Sequence, residues 1–398
     1  MARFLFVVPP FAGHVNPTIP VAAELTRRGH EVAWAGLPGQ LRAMLPDWGR
    51  FIPAGSEQWA GEVAGRNVLR SDLRGAAAYK FLVEEALIPM CQVMVEGVDA
   101  AVIEFEPDVL VSDQQTWAGA VVARRRGLTW ATSATTSAEM VDPLAGLPKV
   151  AETFHRARIE LQVAHGVPRE VAEAGDLRLS EHLVLAHTSS VLVGDGLESV
   201  SGSVPVAYVG PSGLDRAEVD DFDWSLLGPE LPLVLVSLGT LNAEAGARFW
   251  QVAAEAFVDQ PWQGVFVAPD AMVPDPPANV VVRERVPQLA VLRRADAVVS
   301  HGGHNTVCES LSNGLPLVVA PIRDDQPVIA DQVVRAGAGV RVKFARVRPE
   351  ALRDAIELAL HDESLRAGAQ AMAADLASCG GASAAADALL RLVVRVNA

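Results

Sequence analysis

Histidine is the side chain whose ordinary pKa lets it take up and release a proton near neutral pH. His14 stands in Gly13-His14-Val15-Asn16-Pro17, just past an apolar run at Arg3–Val8. A histidine in the loop at the carboxyl end of a strand is placed to meet a ligand, and its neutral form can act as a general base. Such a base needs a partner on its other ring nitrogen. Asp113 follows the apolar run Asp108–Ser112 and is expected on the same edge of the same sheet. A His–Asp pair would fix the tautomer and stabilise the imidazolium that forms. The plainer alternative is a loop histidine and a helix-capping aspartate.

A second group of polar residues lies between Arg285 and Gln326. The apolar run Ala297–Ser300 leads into His301-Gly302-Gly303-His304-Asn305-Thr306 and on to Cys308-Glu309. This order predicts a strand, a tight glycine turn and a helix opening near Asn305. Unpaired amides and about half a positive charge then project from the helix N-terminus, where phosphate binds readily because glycine lets it approach the backbone. His301 could donate to a phosphate oxygen, and Gly303, Asn305 and Thr306 line the turn. Glu309, one helical turn after Asn305, could accept from a ribose cis-diol, the role that an acidic residue takes in dinucleotide-binding folds. Asp325 and Gln326 follow the next apolar run, and a carboxylate beside a carboxamide suits sugar hydroxyls. Ser237-Leu238-Gly239-Thr240 closes another apolar run and offers two hydroxyls and a pliable backbone toward the same ligand.

Each of these taken singly has a bland explanation as a turn or a cap. Their succession on neighbouring strand ends points to a nucleotide-sugar-like ligand. His301, His304 and Cys308 also have helical spacing that suggests zinc, but the glycine pair interrupts the first gap. Asp324-Asp325 similarly could suggest a divalent cation. No GxxxxGK[ST] occurs and no GxGxxG follows the first apolar run. Their absence counts against a P-loop hydrolase and a nicotinamide-dependent dehydrogenase.

The elements that must position these residues alternate regularly. Arg3–Val8, a helix Pro17–Arg28 and Glu31–Ala35 form a strand–helix–strand unit, repeated at Asp108–Ser112, a helix to Arg126, and Leu128–Ala131. A second set has strands at Leu233–Val236, Gly264–Val267, Val280–Val282, Ala297–Ser300 and Leu317–Ala320, with a helix at Ala243–Val258. Such runs predict α/β architecture with two doubly wound, Rossmann-like parallel sheets facing across a cleft. The Pro-, Gly- and acid-rich stretch from Gly210 to Pro232 reads as the linker. Gly39–Gly97 and Glu139–Gly175 read as irregular, and their aromatic and Met residues as core or as the wall of an apolar pocket. Ser383–Val396 is amphipathic, with Ser383 as its expected N-cap.

At 398 residues, the chain is long enough for two cores. Half of the residues are hydrophobic and 20% are charged, which excludes a disordered chain. A net charge of −15 gives no general attraction to nucleic acid or anionic lipid. Three widely spaced cysteines, Cys91, Cys308 and Cys379, make a disulfide framework improbable. The N-terminus lacks a signal-peptide pattern, and no apolar stretch approaches the roughly 20 residues that span a bilayer. The expectation is a cytoplasmic protein without stable membrane insertion, as monomer or homodimer.

These motifs together resemble the family 1 glycosyltransferases of the two-domain GT-B fold. Plant UDP-glucosyltransferases, bacterial macrolide and antibiotic glycosyltransferases and zeaxanthin glucosyltransferases share the pattern. The resemblance covers nearly the whole chain: Gly-His-x-x-Pro at Gly13, Val-Gly-Pro at Val209, Ser-Leu-Gly-Thr at Ser237, and the long signature from Val286 to Gln326. It implies that residues 1–210 bind the acceptor and residues 211–382 bind the donor; residues 383–398 read as a C-terminal helix that could pack on either domain, back on the first included. It implies that His14 deprotonates the acceptor hydroxyl and that Asp113 orients it. On the donor side, His301, Asn305 and Thr306 meet the diphosphate, Ser237 and Thr240 approach it, Glu309 holds the ribose, Asp325 and Gln326 hold the sugar, and Gln288 lies near the base and ribose. Arg285 stands where relatives often carry a base-stacking Trp, and guanidinium stacking can take that role. His304 stands where relatives carry Trp, Met or Ala.

The implied reaction is inverting, metal-independent transfer of a hexose to a small hydrophobic acceptor, with no cofactor beyond the nucleotide-sugar co-substrate. The acid at Glu309 and the intact Asp-Gln favour UDP-glucose. A dTDP-deoxysugar enzyme and a non-catalytic sugar-nucleotide-binding protein are the alternatives.

Overall fold

The computed structural model describes residues 1–59, 73, 75–141, 144, 146–194, 204–214, 216, 218, 221–239 and 246–396. The chain divides into two compact units. One comprises Met1–Ser189, Asp195–Gly213 and Cys379–Ala398, and the other Ser190–Gly194 and Leu214–Ser378.

The first unit is built on a seven-stranded sheet in the order β3-β2-β1-β4-β5-β6-β7. Its strands are β1 (Arg3–Val7), β2 (Glu31–Gly36), β3 (Arg50–Pro53), β4 (Val109–Asp113), β5 (Trp130–Ala134), β6 (Val184–Ala186) and β7 (Val206–Tyr208). All neighbouring pairs are parallel. Alternation along β1 sorts the core into two faces. Leu5 and Val7 join Met94, Val98 and Val121 from the helices Ile88–Phe105 and Trp117–Arg126. Phe4 and Phe6 join Trp34, Val21, Leu25 and, from the last helix, Leu389 and Leu392. That helix spans Gly381–Val396 and belongs to this unit. Arg28 ties it down, pairing with Asp387 and donating to Ser383 Oγ at 2.9 Å. Ser383 is therefore inside the first turn and is not the N-cap.

The second unit has a six-stranded parallel sheet in the order β10-β9-β8-β11-β12-β13. The strands are β8 (Leu233–Ser237), β9 (Gln263–Val267), β10 (Val280–Arg283), β11 (Ala297–Ser300), β12 (Leu317–Val319) and β13 (Gly339–Arg341). Val234 and Val236 face Trp250, Phe257 and Ile356, while Leu233 and Leu235 face Leu311, Ile329 and Met372. A short helix from the N-terminal half, Ser190–Val193, also belongs here. Leu192 is buried in the second of these clusters, and Arg335 donates to the Val193 carbonyl at 2.6 Å.

In both sheets the chain winds outward from a central strand, β1 or β8, and then crosses to that strand's other side. Loops leaving β1 and β4, or β8 and β11, therefore part in opposite directions at the carboxyl edge, which is where α/β sheets bind ligands.

Parts of the segments read as irregular, including residues 60–72, lie outside the described residues, and the described parts hold regular structure. Gly75–Phe105 is helical throughout with a π-helical stretch at Leu82–Leu87, and Pro148–Ala164 is a helix. Met90, Met94 and Met140 are buried core residues, and Tyr79 packs edge-on against Phe154. Among the described residues, Ala77–Phe105 and Glu363–Val394 are long and apolar enough to cross a membrane by length and composition, which corrects the expectation of no such stretch. In the first, the face carrying Met90, Met94, Val98 and Phe105 is buried against the sheet. The second spans two helices, Glu363–Ser378 and Gly381–Val396, one in each unit.

Candidate active site

At the β1/β4 switch point, His14 sits on a one-turn helix, Ala12–Val15, rather than in an open loop. Its Nδ1 lies 2.9 Å from Oδ2 of Asp113, the last residue of β4. The Asp113 side chain is fully buried, while that of His14 remains 17% exposed. The other carboxylate oxygen, Oδ1, accepts from the Gln115 amide at 2.9 Å. Thr135, immediately after β5, completes the group. Its hydroxyl donates to Asp113 Oδ2 at 3.1 Å and lies 2.9 Å from His14 Nδ1. This network assigns the imidazole proton to Nδ1 and leaves the lone pair on Nε2, the arrangement of a general base held by a carboxylate. Thr135 was not singled out in the sequence. It stands in a run of small polar residues, Thr132-Ser133-Ala134-Thr135-Thr136-Ser137, in which no single hydroxyl is distinguished by type or spacing.

At the β8/β11 switch point the imidazole of His301 is enclosed by glycines. A Cβ on Gly303 would lie 2.6 Å from its Nε2, and one on Gly239 would lie 2.7 Å from its Cε1. Gly239 also has φ +71°, a conformation that favours glycine. Burial holds the His301 pKa down at about 4. The Ser237 backbone partly opposes this, and the Arg323 charge adds to it. The imidazole is therefore neutral at pH 7. Its Nδ1 is buried without a well-formed hydrogen bond among the described residues. The helix after the turn spans His304–Ser312 with Gly303 as N-cap, so it opens one residue earlier than expected. Asn305 is half-buried and Thr306 is buried in its first turn. His304 is turned along the helix toward Cys308, with Nε2 3.5 Å from Sγ. Among the described residues no three His, Cys, Asp or Glu side chains converge to hold a metal ion.

Two predictions arise from this cradle. Gly303→Ala forces the His301 ring aside, and overpacking of this kind costs about 1–3 kcal/mol. The expected outcome is a lower unfolding midpoint together with weakened nucleotide binding, read by urea denaturation and by UDP titration. The second concerns pH. The unfolded chain protonates His301 as pH falls through 6.5, whereas the folded protein resists until about 4. Stability present above that window is lost as pH falls across it, on the order of 3 kcal/mol. Denaturation of His301→Leu between about pH 7 and about pH 4.5 should show a correspondingly shallower loss.

The other residues expected to meet the donor sit in the same unit. Ser237 ends β8 with its hydroxyl accepting from the Gly239 amide at 3.3 Å, and Thr240 lies outside the described residues. Glu309 is 6% exposed, and both its oxygens are engaged, Oε1 by Arg216 and Oε2 by the Gln288 amide. Arg285 is exposed and Val286 half-buried. Asp325 precedes the helix Gln326–Arg335, without a side-chain capping bond. Gln326 Oε1 accepts from the amides of Ile322 and Arg323 at 2.9 and 3.0 Å, so its carboxamide clamps the preceding loop. In that loop Arg323 is 7% exposed, with Nε 3.7 Å from Asp324 Oδ2. Arg216 and Arg323 were not assigned roles from the sequence. Arg323 sits inside the signature, but Arg216 lies in the stretch read as linker.

Comparison with known proteins now adds to this geometry. Residues 268–391 match the erythromycin biosynthesis protein CIII-like C-terminal domain. NDP-glycosyltransferase YjiC of Bacillus subtilis (strain 168) is 28% identical, over 95% of this chain and 94% of its own length. Demethyllactenocin mycarosyltransferase of Streptomyces fradiae is 28% identical, over 98% of this chain and 86% of its own. The solved structure of the kitacinnamycin glycosyltransferase superposes with a TM-score of 0.75 at 26% identity, covering 98% of this chain and 99% of the other. The calicheamicin glycosyltransferase CalG4, at 24% identity, shares the fold with a TM-score of 0.77, covering 100% and 99%. With bacterial glycosyltransferases as its homologues and GT-B enzymes as its structural neighbours, the chain is a GT-B glycosyltransferase of the natural-product type.

Proposed function

We propose that the protein transfers glucose, or a similar hexose, from a UDP-sugar to a hydroxyl of a small apolar acceptor, with inversion at the anomeric carbon. The observation that carries this reading is the His14–Asp113–Thr135 network, which leaves Nε2 of His14 free of the proton. In the proposed step, the acceptor hydroxyl loses its proton to Nε2 as its oxygen attacks the anomeric carbon. The bond from that carbon to the diphosphate oxygen breaks, and the buried Asp113 carboxylate stabilises the imidazolium. A single displacement inverts the configuration. The charge growing on the departing diphosphate meets the N-terminus of the His304–Ser312 helix, the His301 imidazole and the nearby Arg323 guanidinium, so the step does not call for a metal ion. Asp325 and Gln326 are the proposed sugar contacts.

One observation favours a dTDP-sugar donor instead. Arg216 and Gln288 already occupy the Glu309 carboxylate that would read a ribose 2′-hydroxyl. The solved spinosyn rhamnosyltransferase SpnG has been captured with thymidine diphosphate, and it shares the fold of this chain.

The experiment is incubation with UDP-glucose or dTDP-glucose and pooled apolar aglycones, followed by nucleotide release and product mass. UDP release with a product heavier by one hexosyl unit is expected. Product from dTDP-glucose alone overturns the donor assignment. Binding of both donors with no product from any pool favours a non-catalytic sugar-nucleotide-binding protein.

A further inference from the structure

Glu309 is not an open carboxylate. Arg216 Nη1 pairs with its Oε1, and Gln288 Nε2 donates to its Oε2. Arg216 is in turn held by Glu218, whose Oε1 lies 3.2 Å from Nη2. Glu218 Oε2 accepts from the Leu289 amide at 2.8 Å, at the start of the helix Gln288–Leu292. Because Gln288 and Leu289 are adjacent, these contacts close a ring: Arg216, Glu309, Gln288, Leu289, Glu218 and back to Arg216. The Glu309 and Arg216 side chains are 8% and 24% exposed, so the pair is largely withdrawn from water. Arg216 lies 93 residues before Glu309 in the chain and reaches it through this ring.

We propose that Arg216 is a specificity-determining residue for the donor nucleotide, competing with the ribose 2′-hydroxyl for the Glu309 carboxylate. This rests on the reading of Glu309 as the ribose contact. The guanidinium–carboxylate contact has both partners ionised, whereas a ribose hydroxyl would bring a bond with one ionised partner and would have to break the ion pair to make it. A neutral 2′-hydroxyl therefore gains little by displacing the guanidinium from Oε1. A nucleotide without that hydroxyl leaves the ring intact and loses nothing. Arg216 thus narrows the advantage of a ribonucleotide over its 2′-deoxy counterpart, an advantage that Glu309 alone would supply.

UDP and 2′-deoxy-UDP differ solely in the 2′-hydroxyl and are the probes. Their affinities are compared by calorimetry on the full-length protein and on Arg216→Met, Arg216→Lys, Glu309→Gln and the Arg216→Met/Glu309→Gln double variant. The preference for UDP should rise about tenfold in Arg216→Met, the worth of one freed hydrogen bond to a charged acceptor. It should fall back to the Glu309→Gln value in the double variant. Arg216→Lys keeps a charge between Glu218 and Glu309 but loses the fork. It should show an intermediate preference, and it carries the test if Arg216→Met does not fold. Equal changes for both nucleotides in Arg216→Met and Arg216→Lys, with a lowered UDP preference in Glu309→Gln, overturn the inference and leave the ribose contact standing. An unchanged preference in every variant overturns the reading of Glu309, and the inference with it.

Discussion

Replacing His14 with alanine is expected to lower the transfer rate by about 10²–10⁴-fold, the usual worth of a positioned general base. Binding of UDP and UDP-glucose should be unchanged, because the proposed donor contacts all lie in the Leu214–Ser378 segment while His14 belongs to the other compact unit. The split between rate and affinity is the informative part. His14 Nδ1 is committed to Asp113 at 2.9 Å, so the side chain offers the substrate a single nitrogen, and its loss removes a proton acceptor rather than a nucleotide contact. Single-turnover rates at saturating donor, with affinity from calorimetry, check this. A variant that retained full turnover would remove His14 from the chemistry.

Asp113→Asn should cost nearly as much, again about 10²–10⁴-fold. Asparagine fits the same buried space, and its carbonyl could still accept from the Gln115 amide as Asp113 Oδ1 does. What changes is the proton. An amide nitrogen presented to His14 Nδ1 donates, which drives the imidazole proton to Nε2 and leaves no lone pair for the acceptor. Asparagine also carries no charge to stabilise the imidazolium. Nitrogen chemical shifts of the His14 ring should report the exchanged tautomer while thermal stability stays near that of the parent. Full activity in Asp113→Asn would mean that Asp113 serves packing alone.

The central strands and the polar residues past their ends were the most legible features of the sequence. β1, β4, β8 and β11 are central strands buried on both faces, so they stand out as unbroken apolar runs. Polar residues at their ends, His14, Asp113, Ser237 and His301, are conspicuous for the same reason. Short strands that are interrupted by exposed or glycine positions, such as β3 with two exposed positions and β13 beginning at Gly339, carry too little apolar pattern to register. The Ile88–Phe105 helix was hidden by apolar residues on most of its surface and by Pro89 in its first turn, which reads as a break. Contacts between residues distant in sequence were within reach where both stand past central strands, as His14 and Asp113 do across 99 residues, and not elsewhere. Nothing in the composition of residues 214–224 shows that Arg216 turns onto Glu309, or that Thr135 joins His14 across 121 residues. The enclosure of His301 by Gly239 and Gly303 was not legible either, because the glycine pair reads as a turn open to phosphate and Gly239 is distant in sequence.

The measurement that tests the central claim most directly is the rate of transfer from UDP-glucose to a series of acceptors whose hydroxyls differ in acidity, from aliphatic alcohols to phenols, with wild-type protein and His14→Ala. If His14 Nε2 removes the acceptor proton, the deficit of the variant is large for aliphatic alcohols and shrinks steadily as the hydroxyl becomes more acidic. A deficit of the same size across the whole series would contradict general-base catalysis by His14.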